Sequence, residues 1–309
     1  MPKRATPRPA RCSGSRTRRS LLSEALPPLN GRYPEFLLAE RARAAASTDL
    51  RERARYDVEA RPFYLFGLLT AADVARFSGI DHVAAIEFGV AEGAGLRALS
   101  ELAAKVTAVT GVRFTIFGFD TGAGLPPLVD VRDHPEIWQA GDFPTRDPEA
   151  LSEHATMVWG DIAETLPGFI RGLTPAMPVG FVSVDVDIYR SSVDCLTLFS
   201  EAKADCLLPV VPAYFDDTIG GPARIGSLFR NRWCGQLLAI DEFNQGASAS
   251  RKIDTLRTLR YRRPFVDEPW LEQMYGLHVL DHPLRQPGAT RPALSIGGHA
   301  AEDRMTWPL

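Results

Sequence analysis

The sequence predicts an α/β fold: a doubly wound, mainly parallel sheet of seven strands with N-terminal helices. Two observations support this prediction. From His82 onward, short apolar strand-like segments alternate with longer helix-like segments, as in a parallel sheet covered by helices. The first strand-like segment, His82–Phe88, also runs into a glycine-rich turn and then into a helical segment. A strand, a glycine-rich turn and a helix in this order predict a ligand site at the carboxyl ends of the strands.

The predicted elements begin with two helical stretches. Residues 33–60 are rich in Ala, Leu, Arg and Glu, and residues 63–77 form a second stretch that ends at a Ser-Gly pair. The strand candidates are His82–Phe88, Arg113–Phe119, Thr156–Trp159, Val179–Val186, Val211–Phe215, Gln236–Ile240 and Leu277–Leu280. The helix candidates between them include Gly95–Thr110, Ile162–Arg171, Ser191–Lys203 and Pro222–Asn231.

Composition sets limits on the class of protein. The chain has 309 residues, of which 45% are hydrophobic and 24% charged, enough for one large α/β domain. The net charge is −3, and the first 20 residues hold seven basic residues and no acid. The core is therefore not basic, and we expect no nucleic-acid partner. No run approaches the length of a membrane span, and the four cysteines form no Cys-x-x-Cys pair, so a cytoplasmic protein is expected.

We divide the chain into four parts. Residues 1–30 are expected to be a disordered basic leader, and residues 31–80 a helical lid or dimerisation segment. Residues 81–287 hold the alternating pattern of the α/β domain. Residues 288–309 are rich in Pro and Gly and are expected to be an irregular tail.

The glycine-rich turn carries the first candidate site. Glu87 ends the strand, and Gly89, Gly93 and Gly95 follow it. The spacing differs from the dinucleotide motif Gly-x-Gly-x-x-Gly, and the Gly-Lys-Ser/Thr of a P-loop is absent. An acid at this place suits a ligand with a positive charge, and S-adenosylmethionine has an ammonium and a sulfonium group. The alternative is a tight turn that binds no ligand.

Two acids end the next two strands. Asp120 follows the second strand, where a carboxylate can accept hydrogen bonds from a ribose diol. Asp161 follows the third strand and could receive an adenine amino group. Each also has an ordinary structural explanation, since Asp favours turns and helix N-caps.

Four more acids end two later strands and predict a metal site. Asp185 and Asp187 follow one apolar strand, and Asp216 and Asp217 follow the next. Four carboxylates at one sheet edge repel one another unless a cation lies among them, and Mg²⁺ prefers such oxygen ligands. A bound ion could lower the pKa of an acceptor hydroxyl. Asp187 could equally be a cap or a surface acid.

Several motifs together resemble the macrocin (tylosin-type) O-methyltransferases over about residues 80–245. The resemblance implies the class I S-adenosylmethionine-dependent methyltransferase fold, Rossmann-like, with seven strands of which the last is antiparallel. It also implies Mg²⁺-assisted methylation of a hydroxyl on a sugar or other natural product. The motifs are, in chain order, Glu87-Phe-Gly-Val-x-x-Gly, Phe119-Asp120-Thr-Gly-Ala-Gly-Leu-Pro126, Gly141-Asp-Phe143, Gly160-Asp-Ile-x-x-Thr-Leu-Pro167, Asp185-x-Asp-x-Tyr189 and Asp216-Asp217.

The resemblance also assigns roles to single residues. Glu87, Gly89 and Gly93 would border the methionine part of the cofactor. Asp120 would hold the ribose hydroxyls, and Asp161 would lie by the adenine. The metal ligands implied by the resemblance are Asp185, Asp216 and Asp217.

The sequence departs from this pattern in ways that affect the chemistry. Pro212 lies where the fifth strand should be, so we expect the regular strand to begin only after it. Ile188 stands where related catechol-type enzymes carry a lysine base. A base must therefore come from elsewhere, or the metal alone must suffice. The catalytic set predicted here is Asp185 and Asp216 with a histidine base, either His278 or His282, of which we favour His278. A structural role for either histidine is the alternative.

The sequence thus predicts a Mg²⁺-dependent O-methyltransferase that takes S-adenosylmethionine and a small-molecule hydroxyl acceptor. A homo-oligomer is compatible with the sequence. Two other classes remain open. A metal-dependent glycosyltransferase would use the Asp185-x-Asp187 motif but leaves the glycine turn unexplained. A non-catalytic S-adenosylmethionine-binding protein would leave the metal acids unexplained.

Overall fold

Seven strands form one sheet in the computed structural model, which describes residues 26–219, 230–246 and 250–289. Their order across the sheet is β3-β2-β1-β4-β5-β7-β6. All neighbours from β3 to β5 pair in parallel, and β7 runs antiparallel to both β5 and β6. The strands are His82–Phe88 (β1), Arg113–Asp120 (β2), Thr156–Trp159 (β3), Val179–Val184 (β4), Val210–Phe215 (β5), Arg251–Thr255 (β6) and Met274–Val279 (β7).

Helices pack on this sheet in two groups. One group is α3 and α4, which contact each other; α3 also contacts β1, β4 and β5. In the other group, α6 contacts α7, and α7 contacts α8. The α/β fold predicted from the sequence is confirmed, with β7 as its antiparallel strand. The helices are Glu35–Ala45 (α1), Leu50–Arg55 (α2), Pro62–Phe77 (α3), Ala94–Thr110 (α4), Pro148–Leu151 (α5), Ile162–Gly172 (α6), Tyr189–Glu201 (α7) and Gly235–Gln245 (α8).

The central strands form the apolar core. Every residue of β4 is buried, and all of β1 after His82 is buried, as expected for parallel strands covered on both faces. Helix α3 buries ten of its residues in the same core. Helix α3, the last part of the segment 31–80, therefore forms part of the domain's main core, and a lid or dimerisation role for this segment stays a prediction.

The predicted strand Gln236–Ile240 is wrong. These residues lie in α8, where Gln236, Ala239 and Ile240 are buried at the i, i+3, i+4 spacing of a helix. The sixth strand is Arg251–Thr255, which is short and more polar. Its position at the sheet edge explains why it carries no continuous apolar run.

The expectation that the fifth strand starts after Pro212 is also wrong, because β5 begins at Val210. The amide of Phe215 donates to Gln273 on the β7 side, so the alternation of the strand turns the Pro212 nitrogen toward β4. Pairing with β4 starts only at Ala213. The missing N–H of Pro212 therefore interrupts no ladder bond.

The N-terminal helical stretch is two helices and not one. Residues 46–49 separate α1 from α2. The last of them, Asp49, caps α2 by accepting a hydrogen bond from the amide of Arg51. The segment before α1 is tied to the other end of the chain, since Glu268 accepts hydrogen bonds from Asn30, Gly31 and Tyr33. Most of the predicted helix Pro222–Asn231, most of the leader and the tail from residue 290 lie outside the described residues.

No helix within the described ranges combines the length and the apolar character needed to cross a membrane.

Candidate cofactor and metal site

One cavity of about 430 Å³ opens at the carboxyl ends of β1, β2, β4 and β5. This size is within the usual range for small-molecule sites. The glycine turn and the acids that follow the strands lie in the same cavity, as the sequence predicted for this sheet edge. Among the predicted residues, those that line it are Glu87, Gly89, Gly95, Asp120, Asp185, Asp187, Asp216 and Asp217.

Two glycines of the turn are required by close contacts. Gly89 has a φ of 81°, and a Cβ on it would lie 1.7 Å from the carbonyl oxygen of Asp185. A Cβ on Gly95 would lie 2.0 Å from Oε1 of Glu87. Gly93 precedes α4 in the left-handed conformation. The turn is therefore closed against side chains and leaves backbone facing the cavity.

Glu87 is the buried acid at the end of β1. Its Oε1 accepts a hydrogen bond of 2.7 Å from the Tyr64 hydroxyl, which also lies 3.2 Å from Oγ of Ser183. Its Oε2 is buried and has no hydrogen-bond partner among the described residues. Burial raises the pKa of Glu87 to about 7. An unpartnered buried carboxylate oxygen indicates a place for a donor from a ligand.

Asp120 and Asp161 differ in their surroundings. Asp120 lines the cavity and holds the turn, with Oδ2 accepting from the amides of Val90 and Ala91. Asp161 caps α6, with Oδ1 accepting from the amide of Ala163. Asp161 does not line the cavity, although its neighbour in α6 does. The cap interpretation of Asp161 is confirmed, and its adenine role stays a prediction.

Three carboxylates form a cluster at the ends of β4 and β5. One oxygen each of Asp185, Asp216 and Asp217 lies within 4.8 Å of the others. Burial, and then repulsion from Asp216 and Asp217, raises the pKa of Asp185 well above its usual range. Burial also raises the pKa of Asp217. The cluster has the oxygen-only ligands and the excess negative charge that a divalent cation neutralises.

The cluster is held by backbone and side-chain contacts. The amide of Asp187, which has a φ of 63°, donates to Oδ2 of Asp217. The amide of Asp217 donates to Gln236, and the Gln236 side chain donates to the Val184 carbonyl. Arg230 forms an ion pair of 2.7 Å with Oδ1 of Asp217. One cation thus already neutralises part of the charge.

The structure contradicts the histidine base. His278 lies on β7 opposite Val210, at the start of β5, whereas Asp216 follows the end of β5. The two sheet edges are separated by about five strand residues, or roughly 16 Å. His282 is buried and accepts from the amide of Leu284. Neither histidine lines the cavity. The antiparallel last strand implied by the resemblance already places its carboxyl end at the opposite edge of the sheet, so the choice of a histidine from this strand conflicted with that expectation.

The structure adds functional residues that the sequence did not reveal. Arg61 and Tyr64 come from the start of α3, before the first strand. Trp138 lines the cavity from the loop after β2, and Arg230 lines it from beyond β5. Proline is a usual first residue of a helix, so Pro62 signals the start of α3 directly after Arg61. The sequence offers no comparable signal for the other three residues.

The sequence matches no family model and no curated protein. Solved structures that resemble the chain include the calicheamicin methyltransferase CalS11, which is 18% identical with a TM-score of 0.44, over 81% of this chain and 87% of that one. Cofactor-bound Rv0187 from MTB is 14% identical with a TM-score of 0.37, over 80% and 88%. The plantazolicin methyltransferase BpumL, solved with SAH, is 11% identical with a TM-score of 0.31, over 79% and 96%. At such low identities and TM-scores, these likenesses transfer no activity to this chain.

Proposed function

We propose that the protein is an S-adenosylmethionine-dependent O-methyltransferase, assisted by Mg²⁺, that methylates a hydroxyl of a small molecule such as a sugar or other natural product. The observation that carries the proposal is that one cavity holds both a glycine turn with an unpartnered buried acid and a cluster of three carboxylates. A methyl donor and a cation-held acceptor have to meet in one place for this reaction.

The cofactor fits the residues at the turn. Oε2 of Glu87 lacks a donor, and a ligand ammonium would supply one. Glycines at 89 and 95 leave the space beside this acid free of side chains. Asp120, whose carboxylate already holds the turn, retains lone pairs for a ribose diol.

Mg²⁺ fits the carboxylate cluster. Asp185, Asp216 and Asp217 would hold it, and the ion would supply charge stabilisation to an ionising acceptor hydroxyl. The chain's own residues keep the cluster in place. The Tyr214 hydroxyl donates to Oδ1 of Asp216, and Gln236 fixes the backbone of Asp217.

The acceptor would lie between the cluster and an apolar wall. Leu125, Trp138 and Phe143 line the cavity, and the rings of Trp138 and Phe143 pack edge to face. Such a wall excludes water and orients a ring-shaped acceptor. No histidine or lysine lines the cavity within the described ranges, so a carboxylate would accept the hydroxyl proton. Of the lining carboxylates outside the cluster we favour Asp187, because its amide donates to Asp217 and so holds it beside the cluster.

The first test is calorimetric titration of the purified chain with S-adenosylhomocysteine. We expect micromolar binding. A folded chain that binds no S-adenosylhomocysteine but binds a nucleotide sugar would replace the proposal with the glycosyltransferase alternative.

The second test is transfer of a labelled methyl group from S-adenosylmethionine to a panel of hydroxylated sugars and natural products, with Mg²⁺ or with EDTA. We expect a labelled product that depends on Mg²⁺. Binding of the cofactor without transfer to any fraction of a cell extract would favour the non-catalytic alternative.

A further inference from the structure

A second charged side chain faces the cavity without a partner. Arg61 is half-buried and lines the cavity together with Glu87. Its guanidinium carbon lies 5.3 Å from the ring centre of Tyr64 and 5.9 Å from that of Phe63. Arg61 forms no side-chain hydrogen bond or ion pair with any described residue, whereas Arg230, the other cation of the cavity, is paired with Asp217.

The start of α3 holds Arg61 close to Glu87. Arg61 precedes Pro62, and its carbonyl accepts from the amides of Tyr64 and Leu65. The same Tyr64 donates its hydroxyl to Glu87. The first turn of α3 therefore positions both the backbone of Arg61 and Tyr64, the hydrogen-bond donor to Glu87. Both residues line the same cavity, and the positive charge of Arg61 lowers the pKa of Glu87.

The pair of unpartnered charges selects one class of ligand group. A phosphate would be repelled by the buried carboxylate of Glu87, and a simple amine would leave Arg61 without a partner. The α-amino acid group has an ammonium for Oε2 of Glu87 and a carboxylate for the planar guanidinium of Arg61. Stacking on two rings limits the freedom of the guanidinium, which reduces the entropy lost on binding.

We propose that Arg61 and Glu87 form a zwitterion site, in which Arg61 binds the α-carboxylate and Glu87 the α-ammonium of the methionine part of the cofactor. This inference rests on the proposed function and deepens it. It makes Arg61 a specificity residue, which favours S-adenosylmethionine over decarboxylated S-adenosylmethionine.

The test compares three ligands by calorimetry at about pH 8, where Glu87 is ionised. The ligands are S-adenosylhomocysteine, its decarboxylated analogue, which keeps the amine, and 5′-methylthioadenosine, which lacks the whole amino acid group. For the unaltered chain we expect S-adenosylhomocysteine to bind roughly 10- to 100-fold more tightly than the decarboxylated analogue, as for a lost charge-assisted bidentate contact.

Variants locate the effect on Arg61. Arg61→Met keeps an apolar stem over the rings, and we expect it to lose the preference for S-adenosylhomocysteine while it binds the decarboxylated analogue as the unaltered chain does. Arg61→Lys should restore part of the preference. Arg55→Met is the matched control, because Arg55 also lies over a tyrosine ring but is exposed outside the cavity. We expect Arg55→Met to bind all three ligands normally.

The outcomes separate this inference from the function on which it rests. If the unaltered chain binds S-adenosylhomocysteine and its decarboxylated analogue equally, the zwitterion site is wrong and the methyltransferase proposal stands. Equal weakening of both ligands in Arg61→Met would also overturn it, because that is the result of a purely structural role. If the unaltered chain binds none of the three ligands, both proposals fail.

Discussion

The two halves of the cavity handle charge in different ways. At the glycine turn, Glu87 and Arg61 carry opposite charges that form no ion pair with each other, and the Tyr64 hydroxyl donates to the acid. At the ends of β4 and β5, three acids each place one oxygen within 4.8 Å of the others, and Arg230 pairs with one of them, Asp217. The first arrangement suits an organic zwitterion and the second suits a compact metal ion. The comparison teaches that the balance of charge at a sheet edge, and not the number of acids, indicates the ligand.

The largest expected effect is a loss of metal affinity when one carboxylate of the cluster is removed, with cofactor affinity unchanged. Asp216→Asn keeps the size of the side chain and an acceptor for the Tyr214 hydroxyl. We expect it to weaken binding of Mn²⁺, used as a probe for Mg²⁺, by roughly 100-fold, since loss of a direct ligand exceeds the usual effect of an outer contact. Affinity for S-adenosylhomocysteine should stay within about twofold, because the hydrogen bonds that hold Glu87 and the glycine turn do not involve Asp216.

Calorimetry with each ligand checks this prediction. Glu101→Gln is the control, because Glu101 is an exposed acid on α4 and its removal changes the net charge equally. Unchanged Mn²⁺ affinity in Asp216→Asn would exclude the metal assignment.

The next prediction concerns the pH dependence of stability, and it tests the buried state of Glu87 without a ligand. The pKa of Glu87 is raised from 4.5 to about 7, so the folded chain keeps a proton that the unfolded chain has lost. The unfolded state then binds fewer protons, and stability falls as pH rises from about 4.5 to 7. Tyr64, Arg61 and Asp120 face this carboxyl, and the first two favour its ionised form.

The expected size is roughly 2 to 3 kcal/mol of unfolding free energy lost between about pH 5 and pH 8, relative to Glu87→Gln. Urea unfolding of both chains at each pH, in EDTA and without cofactor, measures it. The difference removes the contributions that do not depend on Glu87, and it includes the repulsion by which Glu87 raises the pKa of Asp185. A difference that does not change with pH would show that Glu87 titrates as in a free peptide.

A smaller effect is expected from filling the space beside Glu87. In Gly95→Ala the new methyl group would lie 2.0 Å from Oε1 of Glu87 and 3.0 Å from the Tyr64 hydroxyl. We expect S-adenosylhomocysteine to bind at least about tenfold more weakly, because the acid must move. Gly168→Ala is the matched control, since this helical glycine has only Arg171 at 3.8 Å. Normal binding by Gly95→Ala would contradict the site.

The smallest effect on metal affinity is expected from Arg230, the side chain that pairs with Asp217 of the cluster. Arg230→Met removes the ion pair to Asp217, so the cluster gains negative charge and Mn²⁺ should bind several-fold more tightly. Arg232→Met removes an exposed ion pair with Asp241 outside the cavity and should leave Mn²⁺ affinity unchanged. Weaker Mn²⁺ binding in Arg230→Met would show that Arg230 supports the metal site instead of competing with it. Titration monitored by Mn²⁺ paramagnetic resonance measures both.

The sequence predicted the parts of this site that follow strand ends. Glu87, Asp120 and Asp185 end strands whose apolar runs are unmistakable, and parallel strands bring their ends to one edge. It could not predict Arg61, because that residue reaches the cavity through packing of α3 on the sheet. His278 was misassigned because the carboxyl end of an antiparallel last strand lies at the start of β5, away from the cavity, and the prediction did not apply this expected direction.

Gly89 approaches Asp185 so closely that a Cβ on Gly89 would lie 1.7 Å from the Asp185 carbonyl oxygen. The amide of Asp185 also donates to the Phe88 carbonyl, so the turn after β1 and the first acid after β4 are joined through backbone alone. The register between β1 and β4 therefore fixes how far the backbone of Asp185 lies from the glycine turn. A slip of one residue between these strands would turn Asp185 to the opposite face of the sheet. If the proposed methyl donor and metal bind at these two places, the sheet itself sets the spacing that an in-line transfer would need.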